Sequence, residues 1–354
     1  MISFYPGPSK VQEQVKKYMH DAYDEGILSI NHRSQEFISL NRFTNNLLRK
    51  KLSIPADYTI IYTSSATECW EIIAQSFIKK KSVHCYNGAF GKKWYEYSKK
   101  LKPEARAIEF DIEEVLDPST MEIKREDELI AITQNETSNG TQVIDPLIYE
   151  IKKRNPECLV AVDATSSMGG IHLGFQNADI WFASVQKCFG LPAGMGILIC
   201  SPQAMEVAKE IADNNHYNSF LFMAENAAKF QTHTTPNVLG IYLLMRVLKD
   251  NPKIDKTDKI LKTRIHLLTT FFENKTEFSP LVDNLLVRSD TVLALKANPK
   301  TLGKLKAAAK KKGIKLGNGY GEWKESSFRI ANFPAHSKHD FEKLIALFDA
   351  FEKG

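Results

Sequence analysis

A chain of 354 residues that is 43% apolar and 25% charged has the balance of a globular protein with enough core for about two domains, which excludes a disordered chain. Its net charge of +5 is small for this length. The lysine clusters at Lys79–Lys81 and Lys304–Lys315 lack interleaved aromatics, so they read as solvated helix faces and not as a nucleic-acid surface.

The first helical pattern runs from Gln35 to Lys51, directly after Asn31-His32-Arg33-Ser34. A strand is expected at Thr59–Thr63, a helix at Ala66–Ile78 and a second strand at Ser82–Tyr86. Phe90 follows on what reads as a glycine-flanked loop, Asn87–Gly91. Further strands are expected at Leu129–Thr133, Leu159–Asp163, Ile180–Val185 and Gly196–Cys200, with a helix at Pro146–Arg154. Nearly continuous β-branched strands alternating with amphipathic helices predict a mostly parallel, buried sheet. The last two strands are joined by a short turn and are expected to be antiparallel neighbours.

From Asn237 the pattern changes. Helices are expected at Val238–Lys249, Lys259–Glu273, Pro299–Lys312 and Ser337–Phe351, the last with Ser337 as N-cap. Strands are expected at Thr291–Lys296 and Ser327–Ile330. This is an α+β unit. The expected division is a large domain over 21–249 and a small one formed by 1–20 and 250–354.

The five cysteines, Cys69, Cys85, Cys158, Cys188 and Cys200, show no C-x-x-C spacing. They argue against structural disulfides or a zinc site and for a reducing compartment. No apolar run reaches membrane-spanning length, and Met1–Pro8 lacks the pattern of a secretory signal. The expectation is a cytoplasmic protein with no metal, membrane or nucleic-acid partner.

Lys187 carries the chemistry. It ends an apolar strand, in Ser184-Val185-Gln186-Lys187, and a glycine-rich turn follows. Asp163 ends another apolar run about two dozen residues earlier. A strand-end acid paired with a strand-end lysine suits pyridoxal 5'-phosphate: the amine forms the Schiff base and the acid holds the pyridinium proton. Thr63-Ser64-Ser65-Ala66-Thr67 opens a helix after a strand, so its free amides and hydroxyls suit an anion. In an α/β sheet these groups share one carboxyl edge. Phe90 is placed to stack on a ring, Thr137 to reach the ring hydroxyl or a substrate, and Gln186 to bind the phosphate. Arg329, on an apolar strand, needs a partner and suits a substrate carboxylate.

These motifs in order resemble the fold-type I, class V pyridoxal-phosphate aminotransferases, and among them the members acting on phosphoserine. The resemblance rests on Phe4-Tyr5-Pro6-Gly7-Pro8, Asn31-His32-Arg33-Ser34, Asn135-Glu136-Thr137, Ser184–Lys187 and Thr235-Pro236. It implies a mostly parallel seven-stranded sheet in a large domain, a smaller α+β C-terminal domain, and a homodimer with shared active sites. It assigns catalysis to Lys187 and Asp163 and the cofactor to Ser65, Ala66, Thr67, Phe90, Thr137 and Gln186, with Thr234 and Thr235 supplied by the partner subunit. It assigns the substrate carboxylate to Arg329 and the substrate phosphate to His32 and Arg33. The implied reaction exchanges an amino group between O-phospho-L-serine with 2-oxoglutarate and 3-phosphohydroxypyruvate with L-glutamate, a step of serine biosynthesis.

The chain departs from the family pattern at several positions. Ser65-Ala66-Thr67 replaces a glycine-rich turn, Phe90 replaces a tryptophan, and Thr234 an asparagine. The stretch Gly317–Lys324 lacks the family's histidine–arginine pair. There Glu322 would repel a phosphate if it faced the site, and Lys324 would compensate. The alternatives are a class V aminotransferase for alanine, serine or glyoxylate, or a non-catalytic binding protein on the same fold. A cysteine desulfurase needs a late reactive cysteine, and none follows Cys200.

Overall fold

The computed structural model describes residues 1–352. Its centre is a seven-stranded sheet in the order Thr59–Thr63, Gly196–Cys200, Ile180–Ser184, Leu159–Asp163, Leu129–Thr133, Ser82–Tyr86 and Arg106–Glu109. Gly196–Cys200 pairs antiparallel with both its neighbours, and every other pairing is parallel. The mostly parallel sheet and the antiparallel pair are as expected.

Alternation of side chains sets the layers. Ile130, Ile132, Val160 and Val162 enter one apolar cluster, while Leu129, Ala131, Leu159 and Ala161 enter the cluster on the opposite face. Both faces are therefore dry, which is why these strands read as continuous apolar runs. The chain ends of Thr63, Tyr86, Thr133, Asp163 and Ser184 all fall on one edge, because their strands run the same way.

A second sheet has the order Ile2–Phe4, Ile314–Asn318, Ser327–Ala331, Val292–Lys296 and Ser279–Pro280. It packs its own core of Phe4, Leu268, Phe272, Phe328 and Phe348. Ile2–Phe4 joins it by parallel pairing with Ile314–Leu316. Val15 and Tyr18, on the helix Val15–Asp24, pack instead in the cluster of the larger sheet with Ile241 and Leu244.

Three differences from the sequence expectation matter. The segment after Tyr86 is not a loop: Ala89–Leu101 is a helix, and Phe90 sits in its first turn. Its two early glycines, Gly88 and Gly91, disguise the start. The helix expected from Lys259 begins at Ile254, a buried residue, with Asp255 in its first turn. Ile314–Asn318 is a strand, so the Gly317–Lys324 stretch starts inside a sheet. Ser337 caps the last helix as expected, accepting from the Asp340 amide at 3.2 Å.

Candidate active site

The shared strand edge opens into a cavity of about 410 Å³, with Asp163, Lys187, Phe90 and Arg329 among its lining residues. Lys187 is buried, and its Nζ donates to Thr137 Oγ1 at 2.9 Å and Ser166 Oγ at 2.7 Å. Thr137 and Ser166 also bond each other. Burial lowers the lysine's pKa to about 8, against the opposing pull of Asp163 and Glu136. A neutral, nucleophilic amine is thereby accessible near physiological pH.

Asp163 is also buried, and its Oδ1 accepts from the Thr165 amide at 2.9 Å. Burial pushes its carboxyl up, while Thr165 and the Lys187 charge hold it down. The chain approaches the lysine closely at Gly7, where φ is +156° and a Cβ would lie 2.9 Å from Lys187 Cε. That explains the glycine between Pro6 and Pro8: it lets the N-terminal segment cover the amine.

Glu136, whose function the sequence reading left open, organises the opposite wall. Its buried carboxylate accepts from the amides of Phe90 at 3.1 Å, Gly91 at 3.0 Å and Ser138 at 2.9 Å, and from Ser138 Oγ at 2.6 Å. Ser138 Oγ in turn accepts from the Ala89 amide. A carboxylate from another segment thus satisfies the free amides of the helix start and complements its dipole. Gly88 has to be small there, since a Cβ would come 2.4 Å from Glu136 Cγ. The result fixes Phe90, whose ring centroid lies 5.3 Å from Lys187 Nζ.

Arg329 reaches the cavity from the second sheet. Its Nε donates to Asn318 O and its Nη1 to Thr137 O, both at 2.7 Å. No carboxylate pairs with it among the described residues, so its charge faces the cavity without a counter-ion. Burial lowers its pKa.

The phosphate end differs in detail from expectation. Thr67, Ala66 and Gln186 line the cavity. Ser65 does not; its hydroxyl caps the helix Ala66–Phe77 by accepting from the Glu68 amide. The Ala66 amide is engaged by Ser184 Oγ at 2.8 Å. Four buried polar atoms of cavity-lining residues have no protein partner: Thr133 Oγ1, Thr165 Oγ1, Gln186 Oε1 and Trp70 Nε1. Such atoms are costly in a folded chain unless a ligand or water pairs with them.

Four expected residues lie elsewhere. Thr234 and Thr235 are exposed beside a separate cleft of about 190 Å³ bounded by Tyr62 and Gly194. Arg33 is exposed, with Nη1 donating to Asn226 Oδ1 and Gln231 Oε1. His32 beside it does not line the cavity, nor do Glu322 and Lys324. Of the variant stretch Gly317–Lys324, Tyr320 is the residue that does. The sequence reading also missed Thr165, Ser166 and Lys93. Lys93 was legible in principle, because Phe90, Lys93 and Tyr97 share one helix face at i, i+3 and i+7.

Comparison with known proteins bears on this arrangement. The family model for class V aminotransferases matches residues 6–315. A phosphoserine aminotransferase of Corynebacterium glutamicum is 28% identical over 356 residues, covering 97% of this chain and 92% of the relative. The crystal structure of a phosphoserine aminotransferase from Cytophaga hutchinsonii superposes with a TM-score of 0.94 at 34% identity, over 99% of this chain and 98% of that one. A phosphoserine aminotransferase from Trichomonas vaginalis, solved with PLP bound, shares the fold with a TM-score of 0.78 at 16% identity, over 98% and 99%.

Proposed function

The chain belongs to the class V aminotransferase family, and we propose that it exchanges an amino group between O-phospho-L-serine and 2-oxoglutarate, yielding 3-phosphohydroxypyruvate and L-glutamate. The observation that carries this reading is the convergence of Lys187, Asp163, Phe90 and Arg329 on one cavity at the carboxyl edge of the sheet. The named relatives act on phosphoserine. The cofactor is pyridoxal 5'-phosphate.

The residues present fit that group. The unpaired Gln186 Oε1, Thr165 Oγ1 and Trp70 Nε1 are partners awaiting polar atoms in a cavity that already holds an amine, a buried carboxylate and an aromatic face. Lys187 would carry the cofactor through its amine, Asp163 would hold the ring-nitrogen proton and Phe90 would lie against a ring face. Thr137 would bond the ring hydroxyl. Thr67 and Gln186 would hold the phosphate, with Ser65 shaping that helix start as its cap and Ala66 lining it. When bound, pyridoxal phosphate supplies an electron sink for the charge left on the substrate Cα.

The protein's own part is positioning and proton transfer. Arg329 fixes the substrate carboxylate with a guanidinium already braced by two carbonyls, so little further ordering is needed on binding. Nζ of Lys187, neutral in a useful fraction because burial lowers its pKa to about 8, would take the α-proton from the substrate Cα and hold it for transfer. Burial raises the Asp163 pKa, and the Thr165 bonds and Lys187 charge oppose it; a proton on the ring nitrogen of bound cofactor would favour its anion further.

Arg33, Thr234 and Thr235 are exposed and His32 is half-buried, all away from their own chain's cavity. That placement supports assigning them to the site of a second copy in a homodimer: the threonines at the cofactor phosphate, His32 and Arg33 at the substrate phosphate. Of the proposed division into 21–249 for the cofactor and 1–20 with 250–354 for the substrate carboxylate, Ile2–Phe4 lies with the second sheet, whereas Val15 and Tyr18 pack with the first. All five cysteines are buried thiols, in keeping with a cytoplasmic setting.

Two measurements test the function. Purified protein loaded with pyridoxal phosphate absorbs in the visible range, and Lys187→Ala loses that band; an unchanged spectrum in the variant refutes the lysine assignment. Half-reactions with phosphoserine, serine and alanine then rank the substrates. Equal conversion of serine or alanine would shift the reading to the alanine, serine or glyoxylate branch.

A further inference from the structure

The cavity is lined by four charged side chains: Asp163, Lys187, Arg329 and Lys93. The proposed function uses the first three for the cofactor and the substrate's α-carboxylate. Lys93 remains, and its surroundings are built rather than incidental. Its Nζ donates to Tyr320 Oη at 2.7 Å. The same ammonium lies 5.8 Å from the Phe90 ring centroid and 5.3 Å from that of Tyr320.

Tyr320 in turn bridges the two walls. Its ring stands 5.3 Å from Phe90, and the Arg329 guanidinium carbon lies 5.4 Å from its centroid. One aromatic from the second sheet's edge therefore touches both cations and the stacking ring. Lys93 sits on the Phe90 face of its helix, one turn further from the helix start that Glu136 fixes. Lys93 is exposed at the rim of the cavity; its ammonium, bonded to the Tyr320 hydroxyl and facing the Phe90 ring, is restrained without being neutralised, so it keeps its attraction for an anion.

We propose that Lys93, held by Tyr320, is a specificity-determining cation that meets the distal anion of the amino-acid substrate, whether phosphate or γ-carboxylate, beside the His32 and Arg33 supplied by a second copy. This rests on the aminotransferase reading of the cavity. It supplies within the chain a charge that Glu322 and Lys324 do not bring to the cavity, since neither lines it. Both amino donors of the proposed reaction carry a second anion beyond Cβ, and one site serves both in turn. A point-charge ammonium suits this dual use better than a planar fork, because phosphate and carboxylate differ in shape.

The test compares kcat/KM for charged and neutral substrates in the pyridoxal-phosphate-loaded enzyme. Lys93→Gln lowers the phosphoserine-to-serine ratio and the glutamate-to-alanine ratio by roughly tenfold, mostly through KM. Tyr320→Phe moves both ratios the same way by less, because it frees the ammonium without removing it. Lys93→Arg recovers most of the loss. Ratios equal to wild type in Lys93→Gln overturn the inference. A wild-type enzyme that fails to prefer phosphoserine over serine removes the substrate reading instead, and the glutamate-to-alanine ratio still decides the role of Lys93.

Discussion

Burying the Lys187 amine should leave a measurable mark on the stability of the cofactor-free protein. Its pKa falls from the ordinary 10.5 to about 8, a penalty on the charged form of at most about 3 kcal/mol. Lys187→Met keeps an unbranched side chain one atom shorter and removes the charge. It also removes two hydrogen bonds, to Thr137 and Ser166, each worth about 1 kcal/mol. The two hydroxyls still bond each other, so the variant is expected to be more stable than wild type by about 1 kcal/mol at pH 7.

The sign reverses with pH. Below 8 the amine is charged in both folded and unfolded chains, and the penalty is fully present. Between about 8 and 10.5 the folded amine is neutral while the unfolded one still holds its proton. The unfolded state then binds more protons, and wild-type stability rises with pH relative to the variant. By pH 10.5 wild type is ahead by about 2 kcal/mol, the value of its two hydrogen bonds. Urea unfolding of both cofactor-free proteins from pH 6.5 to 10.5, followed by tryptophan fluorescence, gives the difference directly. A gap that stays constant over that range refutes the reasoning.

Two further outcomes probe the walls of the site. Glu136→Ala strands the amides of Phe90 and Gly91 at a buried helix start, so urea unfolding should report a loss of roughly 2–4 kcal/mol. Near-ultraviolet circular dichroism should report a displaced Phe90. Thr165→Val removes a hydroxyl that lines the cavity beside Asp163, so the cofactor-free protein unfolds at nearly the same urea concentration. The same variant loses pyridoxal phosphate about tenfold more readily on dialysis, since a hydrogen bond to a charged group is worth roughly 1.5 kcal/mol. Unchanged retention would remove Thr165 from the cofactor site.

The strands of the large sheet were legible because each is buried on both faces and reads as an unbroken apolar run. Lys187 and Asp163 were legible for the same reason: a charged residue closing such a run marks the sheet edge. Phe90 was placed near the right chain position but in the wrong element, since Gly88 and Gly91 suggest a turn when seen alone. The distant Glu136 and Ser138 accept the free amides of that glycine start, and no local pattern contains them. Ser65 was assigned to the phosphate because a serine before a helix suits both capping and anion binding; the fold spends its hydroxyl on the Glu68 amide. Lys93 and Tyr320 lie 227 positions apart, and their meeting depends on how the two sheets face each other.

The turn Asn135–Gly140 couples those two sheets at the site, and this changes how its residues should be weighed. Glu136 fixes the helix bearing Phe90 and Lys93. Thr137 holds Lys187 with its hydroxyl and Arg329 with its carbonyl. Asn135 Nδ2 donates to Thr291 Oγ1, which donates to Ser166 O beside the lysine. One short turn therefore sets the relative positions of the amine, the ring and both substrate cations. Side chains positioned through a shared backbone lose their roles together when it moves. Substitutions in this turn should accordingly impair cofactor loading and substrate choice at once, whereas Lys93 and Tyr320, at the outer rim, alter choice with little effect on loading.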